Sequence, residues 1–277
     1  MTVWPAPAKL NLFLHVVGRR DDGYHLLQTA FQFLDYGDAL QFRTSDDDRV
    51  SRAGPVYDIP LDADLSVRAA RLLKQASGYR GGVEITLTKR IPLGGGLGGG
   101  SSDAATTLIA LNRLWGTGLS VAELSALGLQ LGADVPVFVF GHAAWAEGIG
   151  EQLTRIDPPE PWYVVLVPPV HVATAEIFRE FARNRALTPY TPPRTIRDLR
   201  EGRLGNELES LVRARHPDVE QAFEILASYG QARMTGSGGC VYVEISNVEQ
   251  GRRIVGNLPA RFSGFVTRGM NRHPLAE

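Results

Sequence analysis

The run Gly94-Gly-Gly-Leu-Gly-Gly-Gly100 places six glycines within seven residues and restricts the local backbone more than any other segment. Glycine permits positive φ and lets a ligand approach the main-chain N–H groups closely. A strand pattern precedes the run at Val83–Ile91, and apolar residues at helical spacing follow from Asp103 to Trp115. Because a helix N-terminus offers unpaired N–H groups and partial positive charge, this order predicts an anion site of the kind that binds phosphate.

Known phosphate loops differ in the residues that accompany the glycines. The P-loop pattern is absent because no lysine follows the run. The dinucleotide fingerprint GxGxxG fits Gly94, Gly96 and Gly99, but the acidic residue expected about 20 residues further on is missing at a strand tip. Glu123 is near that offset and lies in a predicted helix. A flexible linker is disfavoured by the strand and helix on either side, so a different glycine-rich phosphate loop is predicted.

The loop supplies the candidate nucleotide-binding residues. These are Pro92, Leu93, Gly94, Gly95, Gly96, Leu97, Gly98, Gly99, Gly100, Ser101 and Ser102. Either serine is expected to cap the following helix and to donate its hydroxyl to phosphate or to a Mg²⁺-bound water. Lys89 and Arg90, just before the loop, either meet the nucleotide or form a solvated strand end.

Composition excludes several classes of protein. The 277 residues are 44% hydrophobic and 21% charged, typical of a soluble globular protein with one large domain or two ordinary ones. A net charge of −1 gives no basic field for nucleic acid or acidic membranes, and no apolar run approaches the roughly 20 residues of a membrane span. With one cysteine, six scattered histidines and no leader pattern, we expect a cytoplasmic protein without disulfides or a metal held by its own side chains.

Hydrophobic periodicity divides the chain into alternating strands and helices. Ala8–Val17 alternates with period two, so one face of this strand is predicted to be core and the other to carry Lys9 and Asn11. Further strands are predicted at 39–44, 83–91, 163–167, 233–234, 241–245 and 261–267, and helices at 65–75, 103–115, 121–131, 173–183, 206–215, 219–228 and 248–257. The mixture predicts an α+β protein. The proline-rich break at Asp157–Pro161 predicts a boundary between domains at 1–157 and 158–277.

Three segments together resemble the GHMP kinase superfamily, which includes galactokinase, homoserine kinase and mevalonate kinase. Pro92–Ala105 resembles its central ATP motif, Pro5–Val16 its first motif and Met234–Tyr242 its third. The resemblance runs from the first residues to near the last. It implies a two-domain fold, with an N-terminal domain like ribosomal protein S5 and a C-terminal ferredoxin-like α/β sandwich, and it implies ATP and Mg²⁺.

Other residues narrow the resemblance within the superfamily. Lys9-Leu-Asn, Gly23-Tyr-His and Gly132–Phe138 resemble the members that phosphorylate a cytidine diphosphate-linked alcohol in the non-mevalonate route to isoprenoid precursors. The lysine and aspartate that match Lys9 and Asp134 are the catalytic pair in those enzymes. From the residues alone, the favoured interpretations are a turn or cap residue for Asp134 and a solvated strand lysine for Lys9. Pro136 is expected to keep Val135 out of a helix.

Candidate substrate-binding residues lie apart from the glycine run. Asn11 is two residues from Lys9 and therefore shares its strand face. Tyr24 and His25 lie in a predicted loop, where an aromatic face can stack on a base and an imidazole can bind its edge. In the resembled enzymes the matching residues hold the cytosine, helped by an aromatic residue that matches Phe178. The alternative interpretations are a loop anchor for Tyr24 and a core residue for Phe178.

Two positions depart from the family pattern. Asp64 stands where an asparagine often helps to bind adenine, and Asp103 stands where many members have asparagine.

Two other functions remain open. A homoserine or mevalonate kinase would need no base-stacking residue such as Tyr24, and an inert nucleotide-binding regulator would need neither Lys9 nor Asp134. The expected partners are therefore ATP and a small cytidylyl alcohol, with no nucleic acid or membrane, for a monomer or weak homodimer.

Overall fold

The computed structural model describes residues 2–21, 23–54, 59–184 and 195–276. In these ranges the strands are β1 (Trp4–Arg19), β2 (His25–Ser45), β3 (Val50–Ala53), β4 (Gly82–Thr88), β5 (Ala144–Glu147), β6 (Gln152–Arg155), β7 (Trp162–Val167), β8 (Arg233–Met234), β9 (Val241–Ile245) and β10 (Ser263–Met270). The helices are α1 (Leu65–Ser77), α2 (Gly99–Trp115), α3 (Val121–Leu129), α4 (Val135–Phe140), α5 (Thr174–Asn184), α6 (Ile196–Arg200), α7 (Glu209–Arg215), α8 (Pro217–Ala227) and α9 (Val248–Gly256). The predicted α+β class is confirmed. Within the described ranges, every helix is too short or too polar to cross a lipid bilayer.

One sheet runs through the molecule in the order β3-β4-β2-β10-β7-β9-β8. β1 pairs with β2 along nearly its whole length as a long antiparallel hairpin, and β5 also pairs with β2. The hairpin register shifts between Pro7 and Lys9 and again between Asn11 and Phe13. Such bulges redirect side chains, and here they lie on either side of the candidate catalytic lysine.

β10 joins the two parts of the sheet. Its residues Ser263–Arg268 pair with β7, and its last two residues, Gly269 and Met270, pair with β2. Beside this junction the buried Gln32 accepts a hydrogen bond from the Tyr163 hydroxyl at 2.9 Å and donates to the Pro159 carbonyl at 2.8 Å. The proline-rich segment thus has fixed polar contacts, while the domain division at 157/158 stays a prediction.

The helices of the first half cover one sheet face. α1 and α2 pack together over β2 and β4 through fully buried residues such as Leu73, Ile85 and Leu108. The carboxylate of Asp64 accepts hydrogen bonds from the N–H groups of Ser66 and Val67, so it caps α1, and Arg52 ion-pairs with it. This position, which the sequence analysis associated with adenine, therefore has a structural role in the fold.

Two local expectations were wrong. α2 begins at Gly99 with Gly98 as its N-cap residue (φ 72°) and without a side-chain cap, so neither serine caps it. α4 begins at Val135, because a proline is tolerated in the first turn of a helix. Both faces of β1 are buried: Lys9 is 2% exposed and Asn11 3%, because other elements also cover the face that carries these two residues.

Candidate active site

The glycine-rich loop lines a cleft of about 450 Å³ between the two halves of the chain. Its backbone alternates into the left-handed region at Gly94, Gly96 and Gly98, with φ of 69°, 76° and 72°. A methyl group on Gly96 would lie 2.3 Å from the Thr235 carbonyl oxygen, and one on Gly98 would lie 3.0 Å from the Lys9 side chain. The loop therefore requires glycine because its neighbours leave no room for a Cβ.

The second half of the chain holds the loop from the opposite side. The Thr235 hydroxyl donates to the Gly96 carbonyl at 3.3 Å, and the Cys240 N–H donates to the Gly95 carbonyl at 3.1 Å. The ring of His171 lies against Gly94, where a Cβ would be 2.3 Å from its Nδ1 atom. His171 is not among the predicted site residues, since a lone histidine between a strand and a helix carries no pattern.

Lys9 and Asp134 meet in the cleft. The Lys9 ammonium lies 3.1 Å from the Asp134 carboxylate and donates to Asn11 Oδ1 at 2.5 Å. Its main-chain N–H donates to the Leu97 carbonyl at 3.0 Å, which joins β1 to the glycine-rich loop. The lysine side chain is 3% exposed and the aspartate 35%, so the carboxylate is the member of the pair that faces open space.

Helix α4 determines the position of Asp134. The aspartate occupies the N-cap position of α4, yet its side chain makes no capping hydrogen bond. On the same helix, the Phe138 ring packs near Phe33, with centroids 5.6 Å apart, and beneath Gly98. The buried helix therefore fixes the backbone of Asp134 while its carboxylate points to Lys9, and the interpretation as an ordinary cap does not hold.

Asn11 is held by hydrogen bonds on every side. Its Nδ2 donates to the Thr29 hydroxyl at 2.8 Å, and that hydroxyl donates to the Phe13 carbonyl at 2.5 Å. Its main-chain N–H donates to the Thr235 hydroxyl at 2.9 Å. These bonds orient the amide so that its oxygen accepts from Lys9, and Asn11 itself lines the cleft.

At another part of the cleft, two aromatic rings from different halves stack. His25 and Phe178 have centroids 5.1 Å apart and an interplanar angle of 27°, and Phe178 lines the cleft. Tyr24, the residue before His25 in the sequence, is 59% exposed. Burial and then the charge of Arg19 lower the pKa of His25, so its ring is neutral at neutral pH. Its buried Nε2 has no hydrogen-bond partner within the described residues.

The two serines after the loop differ. Ser101 lines the cleft, whereas Ser102 is fully buried and its hydroxyl has no hydrogen-bond partner in the described part of the chain. The same part of the chain contains no group of three or more His, Cys, Asp or Glu side chains that could hold a metal ion. Any Mg²⁺ in this cleft would therefore take most of its ligands from phosphate oxygens and water.

Lys89 and Arg90 differ: Lys89 is not part of a solvated strand end, whereas Arg90 is exposed just after β4, as one of its two predicted alternatives requires. Lys89 forms buried ion pairs with Asp38 and Asp103. The guanidinium of Arg90 lies over the ring of Tyr36, 4.7 Å from its centroid. Strand alternation alone identifies no partner for either cation.

Two family models match this chain. The model of the GHMP kinase N-terminal domain matches residues 64–142, and the model of the GHMP kinase C-terminal domain matches residues 193–264.

Individual relatives match over nearly the whole chain. A 4-diphosphocytidyl-2-C-methyl-D-erythritol kinase from Alkalilimnicola ehrlichii is 55% identical over 96% of this chain and 90% of its own length. One of the same name from Nitrosococcus oceani is 51% identical over 98% of this chain and 95% of its own. A crystal structure of 4-(cytidine 5'-diphospho)-2C-methyl-D-erythritol kinase superposes with a TM-score of 0.82 at 34% identity, covering 97% of this chain and 99% of that one.

Proposed function

Since this chain belongs to the GHMP kinases and is an ATP-dependent kinase, we propose that its alcohol substrate is 4-diphosphocytidyl-2-C-methyl-D-erythritol. The reaction transfers the γ-phosphoryl group of ATP to the 2-hydroxyl and gives the 2-phosphate and ADP in the non-mevalonate isoprenoid pathway. The observation that carries this proposal is the Lys9–Asp134 pair at 3.1 Å, set against a glycine-rich loop in a cleft that also contains Phe178.

Asp134 is proposed as the group that takes the proton of the attacking hydroxyl. Phosphoryl transfer needs a positioned hydroxyl, a proton acceptor and positive charge near the moving phosphoryl group. The exposed carboxylate of Asp134 faces the cleft, and Lys9, fixed by Asn11, is proposed to orient it and to supply positive charge. The N–H groups of the glycine-rich loop and of the first turn of α2 are proposed to bind the phosphates.

The aromatic end of the cleft is proposed to bind the cytosine. A neutral imidazole has one donor and one acceptor nitrogen, which suits the edge of an uncharged base. The buried, unpartnered Nε2 of His25 would gain a partner there, and Phe178 or Tyr24 would supply a stacking surface.

Mg²⁺ is proposed as the accompanying ion, and the cleft fits it. In kinases this ion neutralises charge on the phosphates. Ser101 lines the cleft at the start of α2 and would contribute a hydroxyl oxygen, while the nucleotide supplies the other ligands.

Three general properties follow as proposals. The division into domains at 1–157 and 158–277 is supported by the proline-rich segment before β7. A monomer or weak homodimer is supported by a cleft that one chain lines on its own. A cytoplasmic location is supported by the single cysteine, Cys240, which is fully buried and whose pKa burial raises to about 12.

The direct test is ADP release with ATP and one alcohol at a time. Release with the cytidylyl alcohol is expected to exceed release with homoserine or mevalonate by at least about 10³-fold, since neither small alcohol can use the aromatic end of the cleft. Comparable rates with mevalonate would overturn the substrate assignment. ATP binding without turnover on any alcohol would instead indicate an inert nucleotide-binding protein.

Phe178→Ala is expected to raise KM for the cytidylyl alcohol by about tenfold or more, because stacking on a base contributes about 1–3 kcal/mol. KM for ATP should stay within about twofold. Tyr24→Ala should act in the same direction. Steady-state kinetics with each substrate varied in turn measures the split.

The matched control is Tyr229→Ala, which removes an exposed ring outside the cleft and should change neither KM. Equal increases in both KM values for Phe178→Ala would show a packing role for this ring instead of recognition of the base.

A further inference from the structure

A buried ionic cluster lies at the base of the glycine-rich loop, outside the residues that line the cleft. It consists of Asp38 on β2, Lys89 just after β4 and Asp103 on α2, and is called the loop-base cluster below. The side chains of Asp38 and Asp103 are 0% and 4% exposed, and that of Lys89 is 11% exposed. The proposed mechanism uses none of these residues.

Asp38 binds the segment that enters the loop through both carboxylate oxygens. Its Oδ1 accepts from the Arg90 N–H at 2.5 Å and from the Ile91 N–H at 2.8 Å, while its Oδ2 pairs with the Lys89 ammonium. Three consecutive residues before Pro92 are therefore held by a single side chain.

The same cluster reaches the segment that leaves the loop. The Lys89 ammonium donates to Asp103 Oδ2 at 2.7 Å, and Asp103 lies near the start of α2. A methyl group on Gly99 would lie 3.3 Å from the Lys89 nitrogen, so this lysine also touches the first turn of the helix. The segment before the loop and the segment after it are thus both anchored to the same buried cluster.

The charges of the cluster explain why its three side chains stay in contact. Burial would lower the pKa of Lys89, but Asp103 and Asp38 outweigh it and raise that pKa, so the lysine is charged. Burial raises the pKa of Asp103 to about 8, and the charge of Asp38 acts in the same direction although Lys89 opposes it. The Lys89 ammonium and the two buried carboxyl groups are held together because separating them would leave an unpaired buried charge.

We propose that Asp38 is a positioning residue for ATP, because it closes the base of the glycine-rich loop and so fixes the N–H groups that face the phosphates. A glycine-rich segment has many accessible conformations, and ordering it on binding costs conformational entropy. Fixing both ends before binding removes part of that cost. The inference rests on the proposed binding of ATP phosphates by this loop.

Asp38→Asn tests this role. The amide oxygen can still accept from the main chain, but the amide nitrogen then faces the Lys89 ammonium, donor against donor. We expect Kd for a non-hydrolysable ATP analogue, and KM for ATP, to rise about tenfold to a hundredfold. KM for the cytidylyl alcohol should stay within about twofold, and hydrogen exchange of the amides in 92–100 should accelerate.

Two matched variants serve as controls for Asp38→Asn. Asp103→Asn keeps an oxygen that can accept from Lys89, so a change in analogue Kd of less than about threefold is expected. Asp35→Asn alters an exposed carboxylate on the same strand and should change nothing. If Asp38→Asn does not fold, Lys89→Gln takes its place, with the same ATP-specific weakening expected.

An unchanged analogue Kd in a folded variant, or equal weakening of both substrates, would overturn the positioning role. Analogue binding needs no turnover, so failure of this inference is distinguishable from failure of the substrate assignment. A wild-type chain that binds the analogue but phosphorylates no alcohol would refute only the assignment, and the Kd comparison would still decide the role of Asp38.

Discussion

Asp134→Asn is expected to lower kcat by about 10²- to 10⁴-fold, the range typical of losing a positioned proton acceptor. The amide keeps the shape of the carboxylate but cannot take the proton of the attacking hydroxyl. The side chain is one-third exposed and caps no helix, so its loss should leave the fold intact. Single-turnover phosphorylation, followed together with thermal unfolding, separates the chemical step from stability.

Asp62→Asn is the matched control for that experiment. It also removes a carboxylate from an aspartate that pairs with a cation, Arg71, but its side chain is 86% exposed and lies outside the cleft. Its kcat should equal that of the wild type. Turnover by Asp134→Asn within about twofold of the wild type would rule out proton acceptance by this residue.

Gly96→Ala is expected to weaken binding of an ATP analogue by at least about a hundredfold. The new methyl group would lie 2.3 Å from the Thr235 carbonyl oxygen, and a main-chain atom cannot rotate away as a side chain would. The loop would have to move and would misplace its N–H groups. Titration with the analogue measures this loss, and denaturant unfolding measures the accompanying cost in stability.

The matched control is Gly116→Ala at the end of α2. Gly116 has a similar left-handed conformation, φ 64° against 76°, but a methyl group there meets nothing within 4 Å. Both variants should lose about 1–2 kcal/mol of unfolding free energy from the backbone conformation alone. Only Gly96→Ala should also lose the nucleotide. Equal analogue affinity in the two variants would mean that the contact with Thr235 does not matter for binding.

Local periodicity was sufficient to place many elements of the fold. Strands such as β7 and β9 and helices such as α1 and α3 lie within a few residues of their predicted ranges, because alternation and helical spacing record which face is buried. The first fourteen residues of β2, 25–38, were not identified as strand. Its residues 28–34 are buried on both faces, between β1 on one side and β5 and β10 on the other, so this stretch shows weak alternation.

The residues of the candidate site were likewise predicted only in part. The glycine run and the motifs that carry the resemblance identified Lys9 and Asp134 before the structure placed them 3.1 Å apart. The contacts of Asp38 with the segment that enters the loop, and of His171 with the loop, were not predicted, because each depends on segments distant in sequence that only the tertiary fold brings together. A single chain read along its length carries no signal for such pairs.

The shared strand β10 has a consequence for the order in which the polypeptide folds during synthesis. Nascent domains generally fold from the N-terminus as they emerge from the ribosome. Here Phe33 and Leu34 of β2, between the residues that pair with β5 and those that pair with β4, gain their partners on that side only when Gly269 and Met270 have been made. Until then Phe33 and Leu34 lie on an exposed strand edge, which can pair with other chains. The nascent kinase is thus expected to need protection by chaperones at this edge until β10 has been synthesised.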